Sequence, residues 1–473
     1  MTNKMCSSNA PSIVWFRKDL RLDDNPAFTD AVTKGPVIPL FLWSPNEEDF
    51  STGGASRVWL YHSLLSLKKQ LAVLGLNLII RKGNSVDNLF DIVDSTNAKA
   101  VYTNKRYEPS SLKKDKEIAN KLKEIGLDYK TFNGNLIIDP KVVLNKSNLP
   151  FKVFSHFWKK CLSVANPTEP LPVPNKIISF KNKIKSIEIS DLNLGQDKHW
   201  ALKISKNWDF NYGFSRKKLI SFIENNFNEY CDNRNFPGKD GTSKLSPYLH
   251  YGQISPNQIF YELSKSKNEN WKESQYLAEI GWREFGYYLM FHFPKTINEP
   301  LRNEFKKFPW IENDFLFDSW KNGTTGYPLV DAGMRELWET GWMHNRVRMV
   351  VASFLVKHLL IDWKKGADWF WDTLVDADLA SNTLGWQWSA GCGADAAPYF
   401  RIFNPTTQAE KFDGNGDYIR RWVPELKNME APKIFEPHKY KGDLFLKNSY
   451  SDPIVDHAES RKKALLAYDI IKK

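Results

Sequence analysis

Ile13–Phe16 reads IVWF and Val37–Trp43 reads VIPLFLW, and these two apolar runs begin the part of the chain that decides its fold. Further short apolar runs follow at Leu76–Arg81, Ala98–Thr103 and Leu127–Phe132. Between the runs lie helical patterns at Arg57–Leu74, Val86–Val93 and Ser111–Ile125. Because strands alternate with helices, residues 1–132 are predicted to form a doubly wound α/β domain with a parallel sheet.

The turn after the first strand lacks the motif with which such sheets usually bind a dinucleotide. It continues with Arg17, Lys18 and Asp19 and contains no GxGxxG. That glycine pattern lets a backbone approach a pyrophosphate closely. By motif, therefore, the first domain is not an ordinary dinucleotide binder.

The rest of the chain divides into a linker and a helical domain. Residues 133–205 contain four closely spaced prolines between Pro167 and Pro174, followed by Lys- and Ser-rich sequence. This composition predicts an interdomain linker, not a packed element. From residue 206 to 473 helical periodicity dominates, as in Leu329–Leu337, Met343–Leu360 and Ala367–Val375, which predicts an all-helical domain.

Composition indicates a globular protein with an anionic partner. Of the 473 residues, 42% are hydrophobic and 26% are charged, and no run approaches the roughly 20 apolar residues of a membrane span. We therefore expect a cytoplasmic protein. The net charge of +11 favours nucleic acid as a partner, although a Lys- and Asn-rich solvated surface explains it equally well.

Cysteine and histidine spacing argues against a metal or a disulfide framework. The four cysteines form no CxxC pair, and the nine histidines form no HExxH motif. We therefore predict no structural metal. The chain also has 18 tryptophans, of which twelve lie at or after Trp271, and most of them are expected to be core residues.

Two motifs in the second half suit a phosphate and a flat polar ring. Gly241–Tyr248 places small hydroxyl residues and Lys244 before a proline at a helix start, where N–H groups attract phosphate. An ordinary helix cap is the alternative. Glu279, Trp282 and Arg283 share one helix face, which suits a pocket, or else a surface ion pair beside a buried indole.

Two further motifs also allow both a functional and a purely structural interpretation. Trp342, Asn345 and Met349 share a helix face that could line a cavity or belong to the core. Asp376 and Asp378 precede a tryptophan pair and could simply cap a helix. If helical, Trp386 and Trp388 point about 200° apart, so one can face inward while the other faces a cavity.

Taken together, these motifs resemble the cryptochrome/photolyase family. The resemblance includes Trp15–Pro26, Thr325–Pro328 and Tyr399–Pro405 and runs from about residue 12 to 470. It implies an N-terminal α/β antenna domain and a C-terminal helical domain that holds FAD. The closest resemblance is to class I-like cyclobutane pyrimidine dimer DNA photolyases.

The resemblance assigns residues to the flavin. In it, Asn382 faces flavin N5, and Lys244 stands where close relatives often have Arg, which keeps the charge but weakens one bidentate contact. The implied electron relay consists of Trp310, Trp363 and Trp386. The implied FAD-binding residues are Tyr230, Thr242, Ser243, Lys244, Leu245, Ser246, Tyr276, Glu279, Arg283, Trp342, Asn345, Arg348, Asp376, Ala377, Asp378 and Asn382.

The resemblance also assigns residues to damaged DNA. Relatives that repair (6-4) photoproducts have His at the positions of Asn345 and Met349, so cyclobutane dimers fit better here. Trp388 argues against the cryptochrome branch specialised for single strands, where Tyr is usual. The implied lesion and DNA contacts are Arg234, Glu279, Trp282, Asn345, Arg346, Met349, Trp388 and Arg401.

The implied activity is that of a monomeric, light-dependent carbon–carbon lyase, a DNA photolyase that splits dimers by electron transfer from reduced FAD. The alternatives are a cryptochrome-type photoreceptor, a (6-4) photolyase and a DNA-binding protein with a vestigial flavin. A second antenna chromophore is expected. Ser110 and Ser111 replace the Asn-Glu of folate-binding relatives, so a folate, a deazaflavin, another flavin or an empty cleft all remain open.

Overall fold

The computed structural model describes residues 10–396, 398–440 and 450–472 and divides into two compact units. Unit 1 consists of the chain up to Phe151 together with Ser155–Asn225 and Ser243–Phe291. Unit 2 consists of Lys152–Phe154, Asn226–Thr242 and the chain from His292 onward. The predicted domain boundaries at residues 132 and 206 both fall inside unit 1.

Unit 1 contains a parallel sheet of five strands among the described residues. The strands are β1 (Ser12–Phe16), β2 (Val37–Trp43), β3 (Ile79–Lys82), β4 (Ala100–Asn104) and β5 (Asp128–Phe132). Their order is β3-β2-β1-β4-β5, and every pairing is parallel, which confirms the predicted fold class. β1, β2 and β4 are buried along their whole length, which explains why they read as continuous apolar runs.

Helices alternate with these strands and continue beyond them. Asn25 begins the first helix by accepting a hydrogen bond from the Phe28 N–H, and Pro26 occupies the first helical position. The helices that fall in unit 1 are α1 (Pro26–Val32), α2 (Gly54–Val73), α3 (Ser85–Thr96), α4 (Pro109–Glu124), α5 (Phe154–Val164), α6 (His199–Lys206), α7 (Phe214–Asn225), α9 (Ser246–His250), α10 (Pro256–Ser264) and α11 (Gln275–His292).

One helix corrects the prediction of an unpacked linker. α5 lies within residues 133–205 and buries Phe157, Trp158 and Cys161. Trp158 packs so closely against Gly281 that a Cβ there would lie 2.7 Å from the indole. The proline cluster does exclude helix, but only from the stretch after α5. The linker prediction is therefore wrong for α5 and also for α6.

Unit 2 is helical around one large apolar core that includes Trp320, Val350, Leu355, Trp363 and Trp386. Its helices are α8 (Tyr230–Asn233), α12 (Asp314–Asn322), α13 (Pro328–Thr340), α14 (Asn345–Ser353), α15 (Trp363–Thr373), α16 (Leu379–Ala390), α17 (Pro405–Phe412), α18 (Asp417–Trp422) and α19 (His457–Ile471).

The helix predicted at Met343–Leu360 is shorter in the structure, where α14 begins at Asn345 and ends at Ser353. His344 caps α14, because its Nδ1 accepts a hydrogen bond from the Arg346 N–H at 3.2 Å. After Ser353 the chain widens into a π-helical segment, Phe354–His358. Such segments are rare and are frequent at functional sites.

Three observations bear on the predicted class of protein. No helix in the described ranges is long and apolar enough to cross a membrane. No group of three or more His, Cys, Asp or Glu side chains in the same ranges is arranged to hold a metal ion. Cys161, Cys231 and Cys392 are free thiols, and Cys6 lies outside the described residues.

Candidate functional site

An ion pair with a buried carboxylate joins α14 to the segment before α16. The Arg348 Nη2 lies 2.8 Å and 3.1 Å from the two oxygens of Asp376, and its Nε donates to the Met343 carbonyl. The Asp376 side chain is 3% exposed, and the guanidinium gives it a charge-assisted partner in a site with little access to water. The guanidinium also lies 5.9 Å from the centre of the Trp342 ring.

Asp376 and Asp378 have different roles. Asp378 caps α16 by accepting a hydrogen bond from the Ser381 N–H at 2.9 Å. Capping was the alternative interpretation of both residues in the sequence, and it is confirmed for Asp378. Asp376 instead carries the ion pair, and Ala377 between them is buried.

Asn382 lies one turn into α16 with its amide held in one orientation. Its Nδ2 donates to the Ala367 carbonyl at 3.0 Å. Because the two ends of an amide point apart, its oxygen is directed away from that carbonyl and can accept a hydrogen bond. This orientation suits a ligand that presents an N–H group.

Three tryptophans of unit 2 form a series of decreasing burial. Trp386 is 2% exposed, Trp363 is 3% exposed, and Trp310 is partly buried against the same core. The Trp386 ring lies 5.0 Å from Phe370 and 6.1 Å from Trp320. Within the described part of the chain, its Nε1–H has no hydrogen-bond partner, which is unusual for a buried polar group.

The two tryptophans of α16 differ in environment. Both lie on this helix, as expected, and only Trp386 is fully buried, whereas Trp388 is half-buried. Gly366 makes room for Trp386, because a Cβ at that glycine would lie 2.1 Å from the indole Cη2. No sequence pattern marked Gly366, since the requirement arises only from packing against a residue twenty positions later.

The predicted DNA-contacting arginines of unit 2 are held by neighbouring side chains. The Arg346 Nη2 donates to Asn235 Oδ1 at 2.6 Å, and its guanidinium lies 4.4 Å from the centre of the Phe412 ring. The Arg234 guanidinium lies 5.7 Å from the centre of the Tyr230 ring. These contacts orient the two guanidinium groups.

The remaining predicted lesion contacts of unit 2 reach solvent to different degrees. Asn345 is exposed at the first position of α14, and Met349, one turn later, is half-buried. Arg401 is exposed in the turn between α16 and α17. All three are accessible to a macromolecule, and their contact with DNA stays a prediction.

In unit 1, residues Ser243–Ser246 form a turn rather than a long helix start. Lys244 has φ +49° in the left-handed region, and Leu245 follows in the right-handed helical region. Consecutive residues of opposite hand point their N–H groups to one side, and such a concavity attracts anions. α9 then begins at Ser246, with Pro247 at its start.

Tyr276 lies on α11 of the same unit. Burial raises the pKa of its hydroxyl, while a hydrogen bond with Ser243 acts in the opposite direction. Its ring packs 4.4 Å from Phe222. Unit 1 thus brings together Tyr276 and Ser243 from the predicted set.

The predicted cluster on α11 separates into two groups. Glu279 Oε1 accepts from Gln275 Nε2 at 2.8 Å, and Trp282 packs against Phe285. Arg283 instead donates to the Asn135 carbonyl at 3.0 Å and pairs with Glu284. The role of Arg283 at FAD stays a prediction, because these partners hold it to the segment around residue 135.

Glu284 is a buried titratable group that sequence reasoning missed. It is 3% exposed and accepts hydrogen bonds from the Ile137 and Ile138 N–H groups. Burial raises its pKa to about 7, against the opposing effect of Arg283. The only signal in the sequence is a carboxylate next to an arginine, which surface helices also show.

The predicted residues are distributed over both units. Those in unit 1 are Ser243, Lys244, Leu245, Ser246, Tyr276, Glu279, Trp282 and Arg283, and those in unit 2 are Tyr230, Arg234, Thr242, Trp310 and the predicted residues from Trp342 onward.

Comparison with known proteins gives matches along nearly the whole chain. Residues 12–175 match the family described as DNA photolyase, and residues 276–469 match the FAD binding domain of DNA photolyase. A deoxyribodipyrimidine photo-lyase of Agrobacterium fabrum is 44% identical over 99% of this chain and 100% of that protein. Cryptochrome-1 of Arabidopsis thaliana is 40% identical over 96% of this chain and 70% of that protein. The crystal structure of a class III photolyase from Agrobacterium tumefaciens superposes with a TM-score of 0.93 at 43% identity, over 99% of this chain and 100% of that one.

Proposed function

The chain belongs to the cryptochrome/photolyase family, and we propose that it acts as a deoxyribodipyrimidine photo-lyase, a light-dependent enzyme that splits cyclobutane pyrimidine dimers in DNA. The observation that carries the proposal is the 44% identity, over essentially the full length of both chains, to a protein of that name. The assignment to a class I-like subgroup remains a prediction, since the similar crystal structure is of class III.

The residues of unit 2 fit a flavin. The orphaned Trp386 Nε1–H, the Arg348–Asp376 pair and the oriented Asn382 oxygen are polar groups that a flat polar ring can satisfy. When bound, FAD supplies light absorption and one-electron chemistry. Asn382 and the ion pair would hold the ring.

The three tryptophans supply a protein path for electrons. An indole is an oxidisable side chain, and the burial of Trp386 and Trp363 keeps water from their rings. Trp310 would be the member that a reductant in solution reaches, because it alone is not fully buried. The path serves to keep the cofactor reduced and is separate from lesion binding.

The lesion-facing residues favour cyclobutane dimers over (6-4) photoproducts. Reopening a cyclobutane ring requires no proton transfer, whereas moving an oxygen in a (6-4) product requires an acid. Asn345 and Met349 cannot act as acids near neutral pH. His344 is adjacent, but it is only 3% exposed and its Nδ1 caps α14. Arg234, Arg346 and Arg401 would bind the DNA phosphates.

A second candidate is a blue-light photoreceptor. The 40% identity to a plant cryptochrome favours it, since that relative is nearly as similar as the photo-lyase. The flavin-facing residues and the tryptophan series would serve either function. Only the fate of damaged DNA separates the two.

The deciding experiment uses purified FAD-loaded protein and two duplex oligonucleotides. One carries a single cyclobutane thymine dimer and the other a single (6-4) photoproduct, and each is incubated under blue light or in darkness. We expect loss of the cyclobutane dimer only, and only in the light. No repair by a protein that still photoreduces its flavin would favour the photoreceptor, and comparable repair of both lesions would refute our interpretation of Asn345 and Met349.

A further inference from the structure

Lys357 is a fully buried lysine in the π-helical segment Phe354–His358. Lys357 is only 2% exposed. Among the described residues it forms no salt bridge with a carboxylate. Burying an unpaired ammonium costs free energy, so packing alone would favour an apolar residue at this position.

The ammonium holds one turn of the chain. Its Nζ donates to the Arg401 carbonyl at 3.0 Å and lies 5.3 Å from the centre of the Tyr399 ring. The turn closes on itself, because the Arg401 N–H donates to the Pro398 carbonyl and the Ile402 N–H donates to the Phe400 carbonyl.

Opposite sides of this turn face opposite environments. Tyr399 is completely buried and packs 5.3 Å from Phe308 and 4.8 Å from Tyr468. Phe400 is 61% exposed and Arg401 is also exposed. Lys357 and Tyr399 therefore anchor the buried side of the turn, while Phe400 and Arg401 extend into solvent.

We infer that Lys357 is a positioning residue for DNA binding, which fixes the turn 398–402 so that Arg401 is presented to a phosphate of lesion-bearing DNA. The inference rests on the proposed function. The hydrogen bond to the Arg401 carbonyl fixes the backbone of Arg401 and therefore the position of its Cα, from which the side chain extends. Fixing that point in advance reduces the entropy that binding must remove.

The charge state of Lys357 makes this role dependent on pH. Burial, and secondarily the charge of Arg401, lowers the pKa of Lys357 to about 8. Its neighbours on the turn are Arg401 and Tyr399, and His358 follows it in the chain. On α19, His457 contacts His358 and Tyr468 contacts Tyr399. His358 stays neutral, because burial lowers its pKa to about 3. A neutral amine is a weaker donor to the Arg401 carbonyl than an ammonium, so we expect DNA affinity to fall as pH rises through 8.

The test measures equilibrium binding of FAD-loaded protein to a duplex carrying one cyclobutane thymine dimer, over a series of salt concentrations. The variants are Lys357→Met, Arg401→Ala and the double variant. We expect Lys357→Met to weaken binding several-fold and to reduce the log–log salt slope by about 0.9, the value for one phosphate contact. Arg401→Ala should then add little in the Lys357→Met background, since both act through one contact.

Controls separate positioning from folding. Lys121→Met removes one exposed positive charge, paired with Glu117, and should leave the salt slope unchanged. The melting temperature of Lys357→Met should equal or exceed that of the wild type, because a buried charge is removed. Fully independent effects of the two single substitutions, or wild-type affinity in Lys357→Met, would overturn the inference.

The wild type provides a second measurement if Lys357→Met does not fold. Its affinity for the dimer should fall between pH 7 and 9, and Arg401→Ala should show a much smaller fall. An equal fall in both proteins would overturn the inference. A wild type that neither binds nor repairs the dimer would instead refute the proposed function itself.

Discussion

The carboxyl ends of the strands in unit 1 and the α14–α16 region of unit 2 differ in how each accommodates a buried cation. At the strand ends, Arg106 forms two 2.6 Å hydrogen bonds to Glu48 and a third bond of 3.0 Å to Glu108. Lys18 pairs with the same Glu108 at 3.1 Å. In unit 2 the Trp386 N–H has no hydrogen-bond partner among the described residues, and Lys357 has no carboxylate there.

This difference shows that fold class alone does not mark the site. In open α/β sheets, ligands usually bind beyond the carboxyl ends of the strands, where the strand order reverses. Here that place lies between β1 and β4, where charged side chains pair with one another, while the Trp15 Nε1–H and the Asn104 Oδ1 have no hydrogen-bond partner among the described residues. Unpartnered polar groups thus occur in both units, so the function must be argued from the site and not from the sheet.

The largest effect is expected from breaking the network in unit 1. Arg106→Met leaves the buried Glu108 and the half-buried Glu48 without their main partner and should lower the free energy of unfolding by about 3–5 kcal/mol. Denaturation of wild type and variant with urea measures the difference. A change below about 1 kcal/mol would mean that water satisfies these groups.

The difference in stability between wild type and Arg106→Met depends on pH, and the pKa of Glu108 gives the sign. Burial opposes ionisation of Glu108, but Arg106 and Lys18 hold the pKa of that carboxyl well below its usual range. A lowered folded-state pKa contributes stability above the unfolded value of about 4.3, and this contribution disappears as pH falls. The stability gap between wild type and Arg106→Met should therefore narrow below about pH 4.

A smaller effect on stability is expected at Gly366. Gly366→Ala places a Cβ 2.1 Å from Trp386, so the indole must shift, which should cost about 1–3 kcal/mol and slow photoreduction of FAD. Gly385→Ala is the matched control, since no atom lies within 4 Å of its added Cβ. On a helix this control should gain up to about 1 kcal/mol. Equal behaviour of the two variants would argue against tight packing around Trp386.

Trp386→Phe should change function much more than stability. The substitution conserves most of the ring volume and should cost less than about 1.5 kcal/mol. Light-driven reduction of oxidised FAD should be blocked, while repair by pre-reduced enzyme continues. Trp422→Phe serves as the control, because the buried indole N–H of Trp422 also has no partner among the described residues. Unchanged photoreduction in Trp386→Phe would exclude Trp386 from the relay.

The smallest effect is expected at Ser110, where relatives that bind folate differ in sequence. The Ser110 Oγ and N–H both donate to Asp49, at 2.8 Å and 3.0 Å. Ser110→Ala removes one of these bonds and should cost about 0.5–1.5 kcal/mol. We expect no change in the absorbance of any second chromophore that copurifies with the protein. Loss of that absorbance in Ser110→Ala would show that Ser110 contacts the chromophore.

Sequence reasoning predicted the features that arise from local patterns. The parallel sheet was readable because β1, β2 and β4 are buried on both faces and appear as apolar runs. α5 was missed because the nearby prolines dominate the composition, while its three buried residues pack against elements distant in sequence. Lys357 and Glu284 carried no signal either, since burial of a charged side chain is a tertiary property.

The interleaving of the two units has a consequence for synthesis on the ribosome. Unit 1 is complete only when Phe291 has emerged, yet Lys152–Phe154 and Asn226–Thr242 are translated earlier and belong to unit 2. Domains ordinarily fold in order as they leave the ribosome. Here the early segments of unit 2 must wait, unfolded, for most of their own unit to be made. A single cut in the gene therefore cannot yield two independent halves.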